Sequence, residues 1–293
     1  MAVIPLSAGT KPARVRRLPL GRTAMRALIW LLVVAGALTM VLPFLWMVST
    51  SLKTDAQAFL WPPKILPWPP QWQNYRDAWQ IAPFGRFFFN SAVVSFSVMG
   101  MSLLLNSLAA FGFAKYQFRG AHALFIAVLA TMMIPGQITM IPCFLLMKHL
   151  GWLDSYAGLT VPGFASAFGI FFLRQFMITI PGDYMDAARM DGASELAIWW
   201  RIITPLAKPA LATLSIFTFL GTWNDFLWPL IVVKSDEMRT LPLAISALSS
   251  GHYVMSWPLL MAGACFVVFP VLIVYIFAQR FLVEGIALGG IKG

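Results

Sequence analysis

The chain has 293 residues, of which 59% are hydrophobic and only 11% are charged, and its mean hydropathy is +0.77. A soluble domain carries about 25% charged residues, so this composition excludes a soluble globular protein. It predicts an all-α, polytopic membrane protein. The net charge of +10 does not indicate nucleic-acid binding, because Lys and Arg form no block interleaved with polar residues after residue 26.

Six apolar stretches are long enough to cross a membrane, whose hydrocarbon core of about 30 Å requires roughly 20 helical residues. The predicted spans are residues 27–50, 87–114, 120–147, 155–180, 209–233 and 257–281. Pro135-Gly136 and Pro142 are expected to kink the third span. Ala35-Gly36-Ala37 resembles a signal-peptide cleavage site, but the apolar run continues well beyond it, which favours a retained first span.

The distribution of basic residues predicts the orientation of the six spans. With the N-terminus inside, fourteen of the 21 lysines and arginines lie on the cytoplasmic side and seven on the other side. Because Lys and Arg collect in cytoplasmic segments, both termini are expected in the cytoplasm. The predicted organisation is a basic N-terminal segment (1–26), a six-helix membrane domain (27–282) and a cytoplasmic tail (283–293).

The longest predicted external loop, residues 51–86, is rich in proline and tryptophan. Prolines interrupt regular helix, and tryptophans favour the headgroup region of the membrane. The loop is therefore interpreted either as an interfacial aromatic belt or as a docking surface for an external protein.

The polar segment 181–208 between spans four and five is the most unusual feature of the chain. Asp183 is a plausible N-cap, and Asp183 and Asp186 both suit the positive end of a helix. A narrow stripe of mostly small side chains follows at helical spacing. Its members are Tyr184, Ala187, Ala188 and Asp191.

Gly192 is expected to end or bend this helix, and residues 193–203 are expected to form a second one, with Ser194 as its cap. Small side chains allow close approach of a partner backbone, and the acidic residues can contact Arg or Lys of a partner. A helix lying on the membrane surface usually carries Lys and Arg on its polar face. The acidic character of the first helix therefore favours a protein partner, whereas a helix on the membrane surface fits the Trp199-Trp200 segment better.

The order Asp186-Ala187-Ala188, Gly192, Ile202 and Thr204-Pro205 resembles the EAA motif of permease subunits of bacterial binding-protein-dependent ABC importers. Asp186 replaces the usual Glu, and Thr204 stands where Leu is common. Further segments resemble the carbohydrate branch with its maltose-type permeases. They are Ser51-Leu52-Lys53, Leu153-Asp154-Ser155-Tyr156, Phe172-Leu173-Arg174-Gln175-Phe176, 223–230 and 279–285.

The resemblance implies a permease subunit of an ATP-driven sugar importer in the bacterial inner membrane, surrounded by membrane lipid. It would form half of the translocation pathway with a second homologous permease, and an extracytoplasmic solute-binding protein would deliver the sugar. The 181–208 loop would dock as a coupling helix on a cytoplasmic ABC ATPase dimer, which would hold the ATP and magnesium. The implied coupling residues are Asp183, Asp186, Ala187, Ala188, Asp191, Gly192 and Pro205.

The residues themselves support a transport subunit that is not an enzyme. No G-x-x-x-x-G-K-[S/T] phosphate loop occurs, so we predict that the chain binds no cofactor and needs an ATPase partner as its energy source. The three histidines are scattered and the two cysteines, Cys143 and Cys265, lie in apolar runs. We therefore predict neither a catalytic residue nor a metal site.

Five polar residues within the spans are candidates for lining the pathway, although polar groups also hold helices together. They are Asn90, Asn106, Gln137, Asn224 and Asp225. Two other functions stay open: import of a glycerophosphodiester or glycerol phosphate, and, more distantly, a membrane-embedded enzyme or channel subunit. Gly192→Asp or Ala188→Asp is expected to abolish sugar-stimulated ATPase activity while leaving membrane insertion intact.

Overall fold

The structure, a computed structural model, describes residues 20–249 and 256–290. Within these residues all regular structure is helical, which confirms the predicted class. The α-helices are α1 Leu20–Ser51, α2 Asp55–Ala58, α3 Gln73–Ile81, α4 Phe84–Lys115, α5 Ala121–Thr131, α6 Gly136–His149, α7 Tyr156–Thr160, α8 Ala167–Ile178, α9 Asp183–Met190, α10 Glu195–Ile198, α11 Thr204–Leu206, α12 Lys208–Trp223, α13 Leu227–Val232, α14 Leu241–Ser249 and α15 Trp257–Gly290.

The chain divides into two compact units, Met1–Met47 and Val48–Gly293. The described part of the first unit consists of residues 20–47 of α1. This helix contains the candidate span Ala24–Ser51, with a mean hydropathy of 2.5. This helix begins at Leu20, before the boundary predicted at residue 26, and the rest of the predicted basic segment lies outside the described residues.

Three helices, α1, α4 and α15, are long and apolar enough to cross a membrane, and the described residues contain up to six spans if each bent pair of helices is one span. The third predicted span is broken between α5 and α6, whose axes differ by 98°. The break ends at Pro135, so the kink predicted there is confirmed, whereas Pro142 lies inside α6. Proline removes a backbone donor and restricts the residue before it, which explains the interruption.

The fourth and fifth predicted spans are also interrupted, which the sequence analysis did not predict. The fourth consists of α7, a 3₁₀ turn at Val161–Gly163 and α8, with a bend of 41°. In the fifth, α12 ends at Trp223 and α13 begins at Leu227, so Asp225 lies in the gap between two helices.

The sixth predicted span is the long helix α15, which continues to Gly290. The backbone therefore has no break at residue 282, where the membrane domain was predicted to end. Residues 291–293 of the predicted tail lie outside the described residues.

Helix α4 lies at the centre of the second unit and packs against both α8 and α12. Its buried face carries small polar residues as well as apolar ones, which lets neighbouring helices approach closely. An added Cβ at Gly169 of α8 would lie 2.4 Å from Nδ2 of Asn106 in α4. This close approach requires glycine at position 169.

Two apolar clusters mark the two ends of this helical core. One contains Leu173, Met177 and Leu214 and lies where α4 and α8 end and α12 begins; we call it the loop end. The other contains Phe84 and Trp223 and lies where α4 begins and α12 ends; we call it the far end.

Candidate functional site

The segment between α8 and α12 folds into two short helices joined by a tight turn. Helix α9 starts after Gly182, with Asp183 and Asp186 in its first turn, where they suit the positive end of the helix dipole. The Asp183 side chain makes no capping hydrogen bond, so the prediction that it is the N-cap is wrong. Gly182 takes that position.

Gly192 ends the first helix, as predicted. Its φ is +79°, a left-handed conformation that glycine adopts without the steric cost of a Cβ. Ser194 then caps α10 by accepting a hydrogen bond from the Ala197 backbone N–H at 3.4 Å, which confirms its predicted role. A π-helical turn, Trp199–Ile203, continues this helix toward α11.

One face of this loop is anchored in the apolar cluster of the loop end. Met185 and Ala188 from α9 are buried there together with Ile198, Trp199 and Ile203 from the second helix. Ala188 was predicted to lie on the docking face, but it is 7% exposed and packs inward. The predicted stripe of small residues is therefore divided between two faces of the helix.

The opposite face carries large apolar side chains that contact little of the chain. Met190 is 88% exposed, Leu196 68% and Trp200 60%. Acidic and small side chains of the same loop are exposed as well. These are Asp183, Asp186, Ala187 and Asp191. The sequence analysis did not name Met190 as a residue of the docking face. Its position between the charged Arg189 and Asp191 could have indicated that this large apolar side chain is exposed.

A charged network holds the two helices of the loop against the end of α4. Arg189 forms ion pairs with Glu195 (2.9 Å) and Asp186 (3.0 Å), and Tyr116, just beyond α4, donates its hydroxyl to Glu195. The hydrogen bond from Arg189, followed by that from Tyr116, lowers the pKa of Glu195. Burial, followed by the bond to Glu195, raises the pKa of Tyr116, so its hydroxyl stays protonated and remains a donor.

The residues proposed to line a pathway are not brought together. Asn90 lies at the far end of α4, fully buried, whereas Gln137 is exposed at the start of α6. Asn224 donates to the Leu220 carbonyl in its own helix at 2.9 Å. Asp225, just before the cap position of α13, accepts a hydrogen bond from the Trp228 backbone N–H at 3.3 Å.

Asn90 has all its polar atoms engaged by the protein. Its Nδ2 donates to the carbonyls of Glu237 and Arg239, both at 2.8 Å, and its Oδ1 accepts from the Tyr156 hydroxyl at 2.6 Å. Both N–H donors are used and the side chain is fully buried, so Asn90 is not open to a passing solute. The side chain therefore clamps α4 to α7 and to the 236–239 turn.

Asn106 has a comparable role beside a small cavity between α4, α8 and α12. Its Nδ2 donates to Ser102 at 2.7 Å, and its Oδ1 accepts from the Ser166 backbone at 3.0 Å. The cavity has a volume of about 300 Å³. Its described lining includes four hydroxyl side chains and two phenylalanines: Ser102, Ser166, Thr218, Thr222, Phe168 and Phe217. No charged side chain is among the described lining residues.

The interrupted membrane helices and the loop anchored beside them are features of a multi-pass membrane transport subunit. The chain belongs to the family of binding-protein-dependent transport system inner membrane components, whose model matches residues 102–287. It is therefore a permease of a binding-protein-dependent ABC importer, located in the inner membrane, and a transport component rather than an enzyme. The predicted family, location and class are confirmed.

Named relatives and one solved structure are similar over most of the chain. The arabinooligosaccharides transport system permease protein AraQ of Bacillus subtilis (strain 168) is 40% identical over 71% of this chain and 74% of its own length. The sn-glycerol-3-phosphate transport system permease protein UgpE of Yersinia enterocolitica is 33% identical over 87% of this chain and 93% of its own. A chain of a bacterial ABC transporter that imports the acidic polysaccharide alginate is 26% identical, with a TM-score of 0.79, over 90% of this chain and 98% of that chain.

Proposed function

We propose that this chain forms half of the membrane passage of a sugar importer, and that loop 181–208 couples it to a cytoplasmic ABC ATPase. A second homologous permease would complete the passage, and a solute-binding protein would deliver the sugar. ATP and magnesium would be held by the ATPase, and both termini would lie in the cytoplasm.

The observation that carries the coupling proposal is the two-sided construction of the loop. Its inner face is fixed in the apolar cluster of the loop end, while Met190, Leu196 and Trp200 point away from the chain. Large exposed apolar residues on a loop that also exposes acidic residues favour a protein interface. Because the inner face is anchored next to α8 and α12, a movement of the partner would be passed directly to both helices.

The lining of the cavity between α4, α8 and α12 suits a neutral, hydroxylated solute. Hydroxyl groups such as those of Thr218 and Thr222 can exchange hydrogen bonds with a sugar, and the faces of Phe168 and Phe217 can cover its C–H groups. A glycerol phosphate would need cations around its phosphate, and the described lining has none. The similarity to the arabinooligosaccharide permease supports the same solute class, and the UgpE relatives keep glycerol phosphate as the second candidate.

Reconstituted transport tests this proposal. The tagged chain is expected to copurify with an ABC ATPase and, with its second permease and binding protein, to take up labelled arabinooligosaccharide but not glycerol 3-phosphate when ATP is present. Thr222→Val exchanges a lining hydroxyl for a methyl at nearly equal size. Loss of one hydrogen bond worth about 1 kcal/mol should slow sugar uptake roughly fivefold.

The matched control is Thr179→Val, because Thr179 is an exposed threonine at the end of α8 outside the cavity. It should leave uptake unchanged. Uptake of glycerol 3-phosphate in place of the sugar would contradict the solute assignment. A chain that purifies alone and passes solutes without ATP would contradict the coupling role and support a channel.

A further inference from the structure

A second cavity, of about 500 Å³, lies at the loop end beside the 116–120 turn. Its walls come from the end of α4, the start of α5 and the end of α8. Arg174, Lys115 and His122 line it together with Phe118 and Ile178. Arg174 belongs to one of the segments that resemble maltose-type permeases, and neither the coupling role nor the sugar cavity uses it.

Two cationic side chains are held toward this cavity by neutral groups of the chain. The Arg174 Nε donates to the Phe113 carbonyl at 3.1 Å, and its guanidinium carbon lies 4.1 Å from the centroid of the buried Phe125 ring. Lys115 donates to the Ile180 carbonyl. The terminal nitrogens of Arg174 and the remaining ammonium hydrogens of Lys115 are left for another acceptor.

Among the side chains that the structure describes, residues 24–247 and 256–279, no carboxylate forms an ion pair with either cation. The ion pairs found there join Arg189 to Asp186 and Glu195, and Arg239 to Asp236. Two half-buried cations that share a cavity repel each other and are partly desolvated. An anion with several acceptor oxygens would remove both penalties, and a phosphate group can accept hydrogen bonds from a guanidinium and an ammonium at once.

The rim of the cavity favours a lipid as the source of that phosphate. Phe118 is 45% exposed and Ile178 46%, and both line the cavity. An acyl chain could lie against these two apolar side chains while the headgroup enters the cavity. The cavity lies at the ends of α4 and α8, the depth at which lipid headgroups meet a membrane protein.

We propose that this cavity, which we name the Arg174–Lys115 site, binds the phosphodiester of an anionic phospholipid. Arg174 and Lys115 contact the phosphate oxygens, and Phe118 and Ile178 support the acyl chain. Lys115 also donates to the carbonyl of Ile180, which lies three residues before the start of α9. Its neighbour Tyr116 donates to Glu195 in the 181–208 loop. A bound lipid would therefore brace the base of the 181–208 loop. The site requires only that the protein lies in the inner membrane, so it stands even if the coupling proposal fails.

Lipid titration of the full chain in its purified complex tests the site. Phosphatidylglycerol is added to protein in neutral detergent, and bound lipid is counted by native mass spectrometry. The wild type is expected to retain phosphatidylglycerol and not phosphatidylcholine, because the zwitterionic headgroup carries its own cation. Lys115→Gln and Arg174→Gln should each lower the affinity about tenfold, the loss expected for one charge-assisted hydrogen bond.

Arg76→Gln is the matched control, since Arg76 is an exposed arginine of α3 outside the cavity. If Arg174→Gln does not fold, Arg174→Lys and the comparison of phosphatidylglycerol with phosphatidylcholine on the wild type still test whether the site binds an anionic lipid. Equal retention of phosphatidylcholine, or an equal loss in Arg76→Gln, would overturn the proposal. Displacement of the lipid by millimolar inorganic phosphate at matched ionic strength would assign the site to a soluble anion instead.

Discussion

Replacing Met190 by aspartate is expected to abolish substrate-stimulated ATPase activity of the assembled importer, with a fall of at least tenfold. Met190 is 88% exposed in the single chain, so the substitution disturbs no internal packing. In the complex the new carboxylate would enter an apolar contact, where an unpaired charge costs several kcal/mol. ATP hydrolysis with and without binding protein and sugar, measured on equal amounts of purified complex, gives the result.

Two variants separate coupling from folding in this experiment. Met190→Leu keeps an apolar side chain of similar volume and should retain stimulation. Ala188→Asp places the same carboxylate in the buried cluster behind the loop and should reduce the amount of folded protein instead. Full stimulation in a well-folded Met190→Asp complex would contradict the docking face.

The structure changes the meaning of the two substitutions first expected to uncouple the importer. Ala188 is buried, so Ala188→Asp is a test of folding. At Gly192 an added Cβ meets no atom within 4 Å, but φ is +79°, a conformation that Asp and Asn tolerate better than other residues. Gly192→Asp, compared with Gly192→Asn, therefore tests the effect of charge on the docking face with the turn preserved.

Replacing Asn90 by leucine is expected to cost about 2–4 kcal/mol of stability, because the carbonyls of Glu237 and Arg239 and the hydroxyl of Tyr156 lose their common partner. In a domain of this size such a loss lowers Tm by roughly 5–15 °C. Thermal unfolding in detergent, followed by tryptophan fluorescence, measures the change.

Asn224→Leu is the matched control for this clamp. Asn224 is exposed and bonds only to the Leu220 carbonyl of its own helix, so the same substitution should change Tm by no more than about 2 °C. Tyr156→Phe removes one of the three bonds and should fall between the two. A Tm in Asn90→Leu equal to that of the wild type would show that Asn90 is not a structural clamp.

The sequence is sufficient to predict the class of the fold and the local structure of the loop. Apolar length alone predicts α4 and α15, and the residue types at Gly192 and Ser194 predict a turn and a cap because each conformation favours a particular side chain. Prolines also predict the break before α6. These features depend on residues close together in the chain.

The features that were not predicted depend on contacts between distant residues. Whether Ala188 faces the core or a partner depends on the packing of α9 against α8, and one helical stripe does not specify it. Asn90 was a candidate for the pathway because a polar residue in a span can serve packing or transport. Its partners at Tyr156 and Glu237 lie 66 and 147 positions away in sequence. The interruptions in spans four and five are different, because Pro162-Gly163 and Asn224-Asp225 lie in them and mark each break locally in the sequence.

The side of the membrane on which the 181–208 loop lies tests the central claim most directly. Met190→Cys is made in a chain whose two native cysteines, Cys143 and Cys265, are replaced by serine, and Lys234→Cys at the exposed far end serves as the opposite marker. With a thiol reagent that does not cross membranes, intact spheroplasts should label Lys234→Cys and not Met190→Cys, and inverted vesicles stripped of the ATPase should give the reverse. Rebinding the ATPase should then protect Met190→Cys. Labelling of Met190→Cys from outside intact spheroplasts would contradict the account.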